Sequence, residues 1–206
     1  MSETTARVLD ADLDIPAIIR RFADLPVANI GDAMGRLNVV DPSITAVYRG
    51  ARLAGPAYTV EVPGGDNAGI YEALEHIAVG DILVVNGHGV TNRALIGELI
   101  SERLRQLGVA GVVIDGAIRD ARDIEEMGFP IFSASITPAG PYRHGPFRVG
   151  VPVAVGGVVV APGDIIVGDD DGVAVIPLSD AALIVELAEK KNADELAIRA
   201  SILSGQ

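Results

Sequence analysis

Apolar residues fall into two patterns along this chain, and the switching between them predicts a mixed α/β architecture. Ile15, Ile18, Ile19 and Phe22 recur at helical spacing behind Asp14 as an N-cap and Pro16 in the first turn, so a helix is predicted that ends before Pro26. A short second helix is predicted around residues 29–36. Residues 53–62 read as a strand interrupted at Gly55-Pro56, Gly64-Gly65-Asp66-Asn67 as a turn and cap, and 68–77 as a helix. Gly80-Asp81 leads into an unbroken apolar run over 82–85, a buried strand that ends at Asn86-Gly87-His88-Gly89.

The alternation continues. A helix is predicted from near Asn92, broken or restarted around Gly97 and running to Leu107. A buried strand follows over 111–114, then a short helix from Asp120 through Met127 and a strand over 131–136. Beyond that point the pattern changes. Residues 147–177 are rich in Val and Gly, with turn signals at Gly156-Gly157, Pro162-Gly163-Asp164 and Asp169-Asp170-Asp171-Gly172, which predicts short antiparallel strands in hairpins. Ser179 or Asp180 then caps a long helix over about 179–203. Its apolar positions include Leu183, Leu187, Leu196 and Leu203, and Glu189, Lys190, Lys191, Asp194 and Glu195 are solvated or at an interface. The expected whole is a single domain over residues 1–206, with mixed sheets flanked by helices.

Composition narrows the chemistry. The 206 residues suffice for one substantial core, and a 49% hydrophobic, 4% aromatic content points to strands packed by small aliphatic side chains. With no cysteine, disulfides, thiolate nucleophiles and sulfur-held metals are excluded, so any metal is held by oxygen or imidazole. Lys plus Arg number 16 against 28 Asp plus Glu, a net charge of -12 without any basic cluster, which argues against nucleic acid. The N-terminal stretch lacks the basic and apolar regions of a signal peptide, and no stretch approaches a membrane span, so a cytoplasmic protein with no membrane partner is expected.

In so acidic a chain, a single arginine near a cleft is telling. Gly97-Glu98-Leu99-Ile100 stands at a possible helix start, where unpaired N–H groups receive anions, and one helix and one strand later comes Arg119-Asp120. Taken alone, Arg119-Asp120 reads as a surface ion pair or a helix cap, and Gly97-Glu98 as a packing glycine with a solvated glutamate. Their place beyond the carboxyl end of a strand, where ligands bind in open α/β sheets, adds weight to a second reading, a small carboxylate substrate and a divalent metal, without displacing the first. Asn67 and His88, each in a glycine-rich turn, are weaker candidates. The Asp169–Gly172 stretch lacks the ligand spacing of an EF-hand and reads as a hairpin turn. Neither a dinucleotide fingerprint, a Walker motif nor a nucleophile elbow occurs.

With those residues placed, the chain resembles the RraA-like family, which includes class II pyruvate aldolases acting on 4-hydroxy-4-methyl-2-oxoglutarate. The resemblance runs from Leu25-Pro26-Val27-Ala28-Asn29-Ile30-Gly31-Asp32-Ala33 through residues 94–100 and Gly111-Val112-Val113-Ile114-Asp115-Gly116-Ala117-Ile118-Arg119-Asp120 to 162–177. Aldolase members carry an acidic residue, twenty others, then Arg-Asp; here Glu98 precedes residues 99–118 and Arg119-Asp120, with Glu where Asp is usual. The resemblance implies a swivelling β/β/α fold and a Mg²⁺ or Mn²⁺ ion on Asp120 and waters, with Glu98 orienting a water. Substrate carboxylate would meet the amides around residues 98–100, at Gly97, and Arg119 would face the C2 oxygen; Asn67 stands beside them as a substrate-binding candidate from its turn alone. Retro-aldol cleavage and oxaloacetate decarboxylation would share a pyruvate enolate. Glu195, from the terminal helix of a neighbouring subunit, is the implied helper base, in a homotrimer or hexamer. The rival expectation is a non-enzymatic regulator: the family's namesake inhibits an RNA-degrading endonuclease and lacks the aspartate that this chain retains as Asp120.

Overall fold

The computed structural model describes residues 14–205; the N-terminal stretch read above lies outside them as far as residue 13, as does Gln206. In chain order the elements are α1 (Ile15–Ala23), α2 (Val27–Ala33), β1 (Thr45–Ala46), β2 (Leu53–Glu61), α3 (Ala68–Ala73), β3 (Ile82–Ile96), α4 (Glu98–Gln106), β4 (Gly111–Ile118), α5 (Ala121–Met127) and β5 (Ile131–Ile136). Then come β6 (Arg148–Val149), β7 (Val153–Val155), β8 (Val158–Val160), β9 (Ile165–Asp169), β10 (Gly172–Ile176), a 3₁₀ turn at Leu178–Asp180 and α6 (Ala181–Ser204). Among the described residues no helix is long and apolar enough to cross a membrane.

One mixed sheet organises the molecule, in the order β1-β5-β4-β3-β2-β9-β10, with β6 added on β2 and β7–β8 as a separate hairpin. The strands β2, β3, β4 and β5 run parallel, and β9 and β10 are antiparallel to their neighbours. Side chains alternate across the sheet as the pleat requires. Leu83, Val85, Val112 and Ile114 pack with Ile70, Leu104 and Ile124 of the α3, α4 and α5 layer. Ile82, Val84, Val113 and Phe132 face the other way, onto Val153, Val155 and Val160 of the β7–β8 hairpin. Ile165, Val167, Ala174 and Ile176 of β9 and β10 form a third cluster with α1, α2 and α6. Burial on both faces explains the continuous apolar runs. The mixed α/β fold with helices flanking the sheet is as expected.

The departures have local causes. Helix α2 starts at Val27, earlier than predicted, because Pro26 occupies its N-cap position in extended conformation; positive φ at Gly35 and Arg36 follows its end. Helix α3 is shorter than the predicted 68–77 segment, stopping at Ala73. Asn67 holds the N-cap position of α3 without a side-chain cap bond, and Asp66 Oδ1 accepts the Ala68 N–H at 2.9 Å instead. No helix begins near Asn92; residues there belong to β3, which pairs again with β4 at Ala94 and Ile96. Helix α6 buries Ala181, Ile184, Val185 and Ala188, while Leu183, Leu187, Leu196 and Leu203 are exposed.

Gly55-Pro56 does not interrupt β2. The strand changes partner there: Leu53–Pro56 pair antiparallel with β9, and Ala57–Glu61 pair parallel with β3. Proline is tolerated at this switch, where a strand can forgo one N–H donor. Glycine is required because a Cβ at position 55 would lie 2.3 Å from the Gly80 carbonyl oxygen. Gly55→Ala should therefore destabilise the fold by about 1–3 kcal/mol in urea unfolding, the usual overpacking range; an unchanged midpoint would contradict this close approach.

Candidate active site

Strand register brings the two distant motifs together. After regular pairing through Asn86↔Asp115, β3 bulges repeatedly and rejoins β4 at Val90↔Gly116, Ala94↔Ala117 and Ile96↔Ile118. Because Ile96 and Ile118 are partners, the residues that follow, Gly97-Glu98 and Arg119-Asp120, leave the sheet side by side; the Arg119 N–H donates to the Ile96 carbonyl at 3.0 Å. The twenty residues between Glu98 and Arg119 are those needed for one crossover helix and one parallel strand. Gly97 then makes the approach possible. A Cβ there would stand 2.3 Å from Asp120 Oδ2 and 2.7 Å from Arg119 Cγ.

Asp120 does not act as the cap its position suggests. Its backbone is left-handed, with φ 56° and ψ 38°, and its side chain makes no cap bond to α5. The carboxylate instead turns to the start of α4, where Oδ2 accepts the Glu98 N–H at 3.1 Å and the Arg119 Nε–H at 3.3 Å. The first amide to close back within this turn is that of Ser101, onto the Gly97 carbonyl. The N–H groups of Leu99 and Ile100 thus face outward from a helix start without intrahelical acceptors.

A pocket of about 120 Å³ opens at that helix start, lined by Gly97, Leu99, Ile100, Arg119, Asn67 and Arg143, with Tyr71, Leu95, Ile96 and Pro141 completing its wall. Asn67 is 2% exposed. Its Nδ2 donates to the Leu95 carbonyl at 3.0 Å, and its Oδ1 is buried with no donor. An acceptor left in that condition is costly unless a ligand hydroxyl or a water serves it. The pocket therefore offers amide donors, two guanidinium groups and one carbonyl acceptor.

Not every predicted residue gathers here. The Glu98 side chain lines a neighbouring depression with Glu102, Arg105, Asp123 and Glu126, so this residue reaches the site through its amide. Glu195, on the exposed part of α6, pairs with Lys191 at 3.1 Å and does not line the pocket of its own chain. His88 lies elsewhere, on a groove with Glu61 and Arg148, and its Nε2 is 3.6 Å from Glu61 Oε1. No group of three or more His, Asp or Glu side chains suited to a metal occurs among the described residues. The donor set nonetheless suits a hard cation held mainly by water and substrate oxygens: Asp120 has Oδ2 occupied by two N–H groups, and Oδ1 meets no donor among the described residues.

Three contributors escaped the sequence reading: Tyr71, Arg143 and Asp66. Asp66 is 4% exposed and receives N–H bonds from Ala68, His144 and Gly145, the last two onto Oδ2 at 2.6 and 3.2 Å. Burial pushes its carboxyl up, but these backbone donors and nearby His144 outweigh that and hold it below the ordinary 3.8. The visible signal is the polar Tyr142-Arg143-His144 run between Pro141 and Pro146, opposite the Gly64-Gly65-Asp66-Asn67 turn.

A mixed sheet with a small pocket at one helix start, lined by two arginines, defines the class of protein as mixed α/β. The Aldolase/RraA family matches residues 6–175, and the chain belongs to this RraA-like family. A Halalkalibacterium halodurans protein provisionally named 4-hydroxy-4-methyl-2-oxoglutarate aldolase is 38% identical over 177 residues, 86% of this chain and 84% of that one. The Thermus thermophilus 4-hydroxy-4-methyl-2-oxoglutarate aldolase is 35% identical over 62% of this chain and 77% of its own. Among solved structures, Streptomyces coelicolor RraAS2, an unusual member of the RNase ES inhibitor RraA protein family, superposes with a TM-score of 0.79 at 31% identity, covering 89% of this chain and 97% of that one.

The lowered Asp66 carboxyl has a definite sign for stability. A depressed folded value contributes stability that is present above the unfolded value near 3.8 and lost as pH falls through the folded one. Asp66→Asn should lower stability at neutral pH and flatten the acid limb of the stability curve below about pH 4. Equal acid sensitivity of the variant and the parent, in thermal unfolding across that range, would remove Asp66 from this role.

Proposed function

We propose that this protein is a divalent-metal-dependent lyase that releases pyruvate from 4-hydroxy-2-oxo acids such as 4-hydroxy-4-methyl-2-oxoglutarate, and that it also decarboxylates oxaloacetate. The observation that carries this reading is a small pocket lined by Arg119, Leu99 and Ile100, with the redirected Asp120 carboxylate bonded to Arg119 and to the Glu98 amide beside it. The names of the aldolase relatives support the same reaction class.

In this reading the amides of Leu99 and Ile100 hold the C1 carboxylate at the helix start, where the macrodipole favours an anion. Arg119 faces the C2 oxygen. Asp120, with waters, would hold a Mg²⁺ or Mn²⁺ ion, which when bound supplies Lewis-acid polarisation of the 2-oxo group. The Asn67 Oδ1 accepts a hydrogen bond from the C4 hydroxyl, ending its unpaired state. Removal of the hydroxyl proton by a base breaks the C3–C4 bond; C4 leaves as a carbonyl, and the electron pair passes to the C2 oxygen as an enolate. Arg119 stabilises that developing charge, and protonation at C3 yields pyruvate. With oxaloacetate the same C3–C4 bond breaks and CO₂ departs, so one arrangement serves both reactions.

The base is assigned to a water at the start of α4, with help from Glu195 of a second copy in a homotrimer or hexamer. The apolar outer half of α6 supports this assembly: Leu196, Ile198, Ile202 and Leu203 are more than half exposed, at 56, 60, 69 and 77%. Regulation of a ribonuclease through protein contacts is the competing reading, supported by the inhibitor family to which RraAS2 belongs.

A coupled pyruvate assay over several 2-oxo acids tests the proposal. Turnover should require added Mg²⁺ or Mn²⁺ and vanish with a chelator, and Arg119→Ala and Asp120→Ala should each lower kcat/KM by roughly 10²–10³-fold. Turnover indifferent to chelation, or full activity in both variants, rejects this site. No cleavage of any acid, together with inhibition of a ribonuclease by the intact protein, establishes the regulator instead.

A further inference from the structure

Gly97 solves one problem of the site and creates another. Its missing Cβ lets Asp120 and Arg119 approach, yet glycine restrains its own backbone less than any other residue and carries no side chain to cap a helix. Helix α4 accordingly starts without a side-chain cap bond. The direction of the Glu98 N–H, and with it the order of the amides that follow, needs another anchor.

That anchor lies inside the helix. Ser101 is fully buried, and its Oγ–H donates to the Gly97 carbonyl at 2.8 Å, where the Ser101 N–H also arrives at 3.1 Å. Two donors from one residue share one oxygen. In a trans peptide the carbonyl and the following N–H point in opposite directions, so fixing the Gly97 oxygen fixes the direction of the Glu98 N–H. That N–H donates to Asp120 Oδ2 at 3.1 Å. The Gly97–Glu98 peptide is therefore held at both poles, by Ser101 within α4 and by Asp120 from beyond the end of β4.

A serine that bonds back to the carbonyl four residues earlier is common in helices and by itself adds little stability. Here the acceptor is the N-cap carbonyl of the helix whose first residues line the pocket. Rotating the peptide so that its N–H left Asp120 would also break the bond to the Ser101 hydroxyl. The carboxylate would then keep only one of the two donors that turn Oδ2 toward α4, the Arg119 Nε–H at 3.3 Å.

We infer that Ser101 is a positioning residue for the proposed reaction: through the Gly97 carbonyl it aims the Glu98 amide at Asp120, and so keeps the Asp120 carboxylate and the α4 amides in the arrangement that receives substrate. The inference rests on the lyase reading above. Ser101 acts through its neighbours, being buried and absent from the pocket wall.

Ser101→Ala deletes the hydroxyl without threatening the fold, since alanine fits the space and is the better helix former. Amide hydrogen exchange in the metal-free protein reads the geometry, and pyruvate titration with Mg²⁺, together with steady-state kinetics, reads its consequence. In Ser101→Ala, protection of the Glu98 amide should fall roughly 3–10-fold, the range for one lost neutral hydrogen bond, while amides from Arg103 onward keep theirs. Pyruvate affinity and kcat/KM should fall by a similar factor, and Ser101→Cys, nearly isosteric with a weaker donor, should lie between. An unchanged Glu98 amide in Ser101→Ala, or a loss of protection spread evenly along α4, overturns the inference and leaves the lyase intact if the parent binds pyruvate and cleaves a 2-oxo acid. Reduced Glu98 protection with unchanged pyruvate affinity and kcat/KM overturns it as well. A parent protein that neither binds pyruvate nor cleaves any acid overturns the lyase reading, and this inference with it.

Discussion

A missing methyl carbon at position 97 governs the geometry of the site. The nearest atoms to the place where a Cβ would stand are Asp120 Oδ2 and the Arg119 side chain, at 2.3 to 3.0 Å, so any other residue would drive the two loops apart. Glycine there allows the start of α4 and the end of β4 to touch. That contact turns the ends of a parallel strand pair into one polar cluster, because the Glu98 amide, the Arg119 guanidinium and the Asp120 carboxylate meet across it. Without the contact, α4 would still pack through Leu104 and β4 through Val112 and Ile114, but the three polar groups would not share one point.

The irregularity of β3 follows from the same requirement. A strand paired regularly beyond Asn86↔Asp115 would carry residues 87–93 along β4 and place a different residue beside Ile118. Bulging absorbs the excess and lets Ile96 arrive opposite Ile118. His88 and Gly89 adopt positive φ in the bulged segment, and a Cβ at Gly87 would meet the Asp115 carbonyl at 2.8 Å. Bulges of this kind commonly re-aim chains next to functional sites.

Much of this was legible in the residues, and the failures share a cause. Local signals marked α1, α5, β5 and the C-terminal hairpins, since Asp14 with Pro16, Gly128 before Pro130, and paired glycines act within a few positions. The Glu98 to Arg119 spacing also pointed to one place, because a crossover of fixed composition must return to the adjacent strand. Where partners are distant, sequence pattern is silent. Gly55-Pro56 looks like a break until the change from β9 to β3 is known, and 92–96 lacks strand alternation because its pairing with β4 is staggered. Asp66 and the 144–145 segment are separated by most of the sheet in sequence and are joined through backbone amides, which carry no residue-type signature. The exposed leucines of α6 illustrate the converse: apolar residue type identifies a helix, while the stripe that reaches the core is set by the neighbouring α1 and α2.

Asp120 shows how local stability yields to site geometry. A side chain at an N-cap position ordinarily accepts an amide of its own helix, and losing such a bond costs on the order of 1 kcal/mol. Here α5 begins without one. Left-handed backbone at a non-glycine residue adds a further penalty, which aspartate tolerates better than most. Both concessions have the same effect: they rotate one carboxylate from the helix it precedes to the helix that starts across the pocket. In its ordinary conformation Asp120 would steady α5 and leave Arg119 and the Glu98 amide without a common acceptor. In the conformation observed, one oxygen binds those two donors together and the other faces no competing protein donor, which is the condition a carboxylate needs if it is to meet a ligand as well as hold the site in shape.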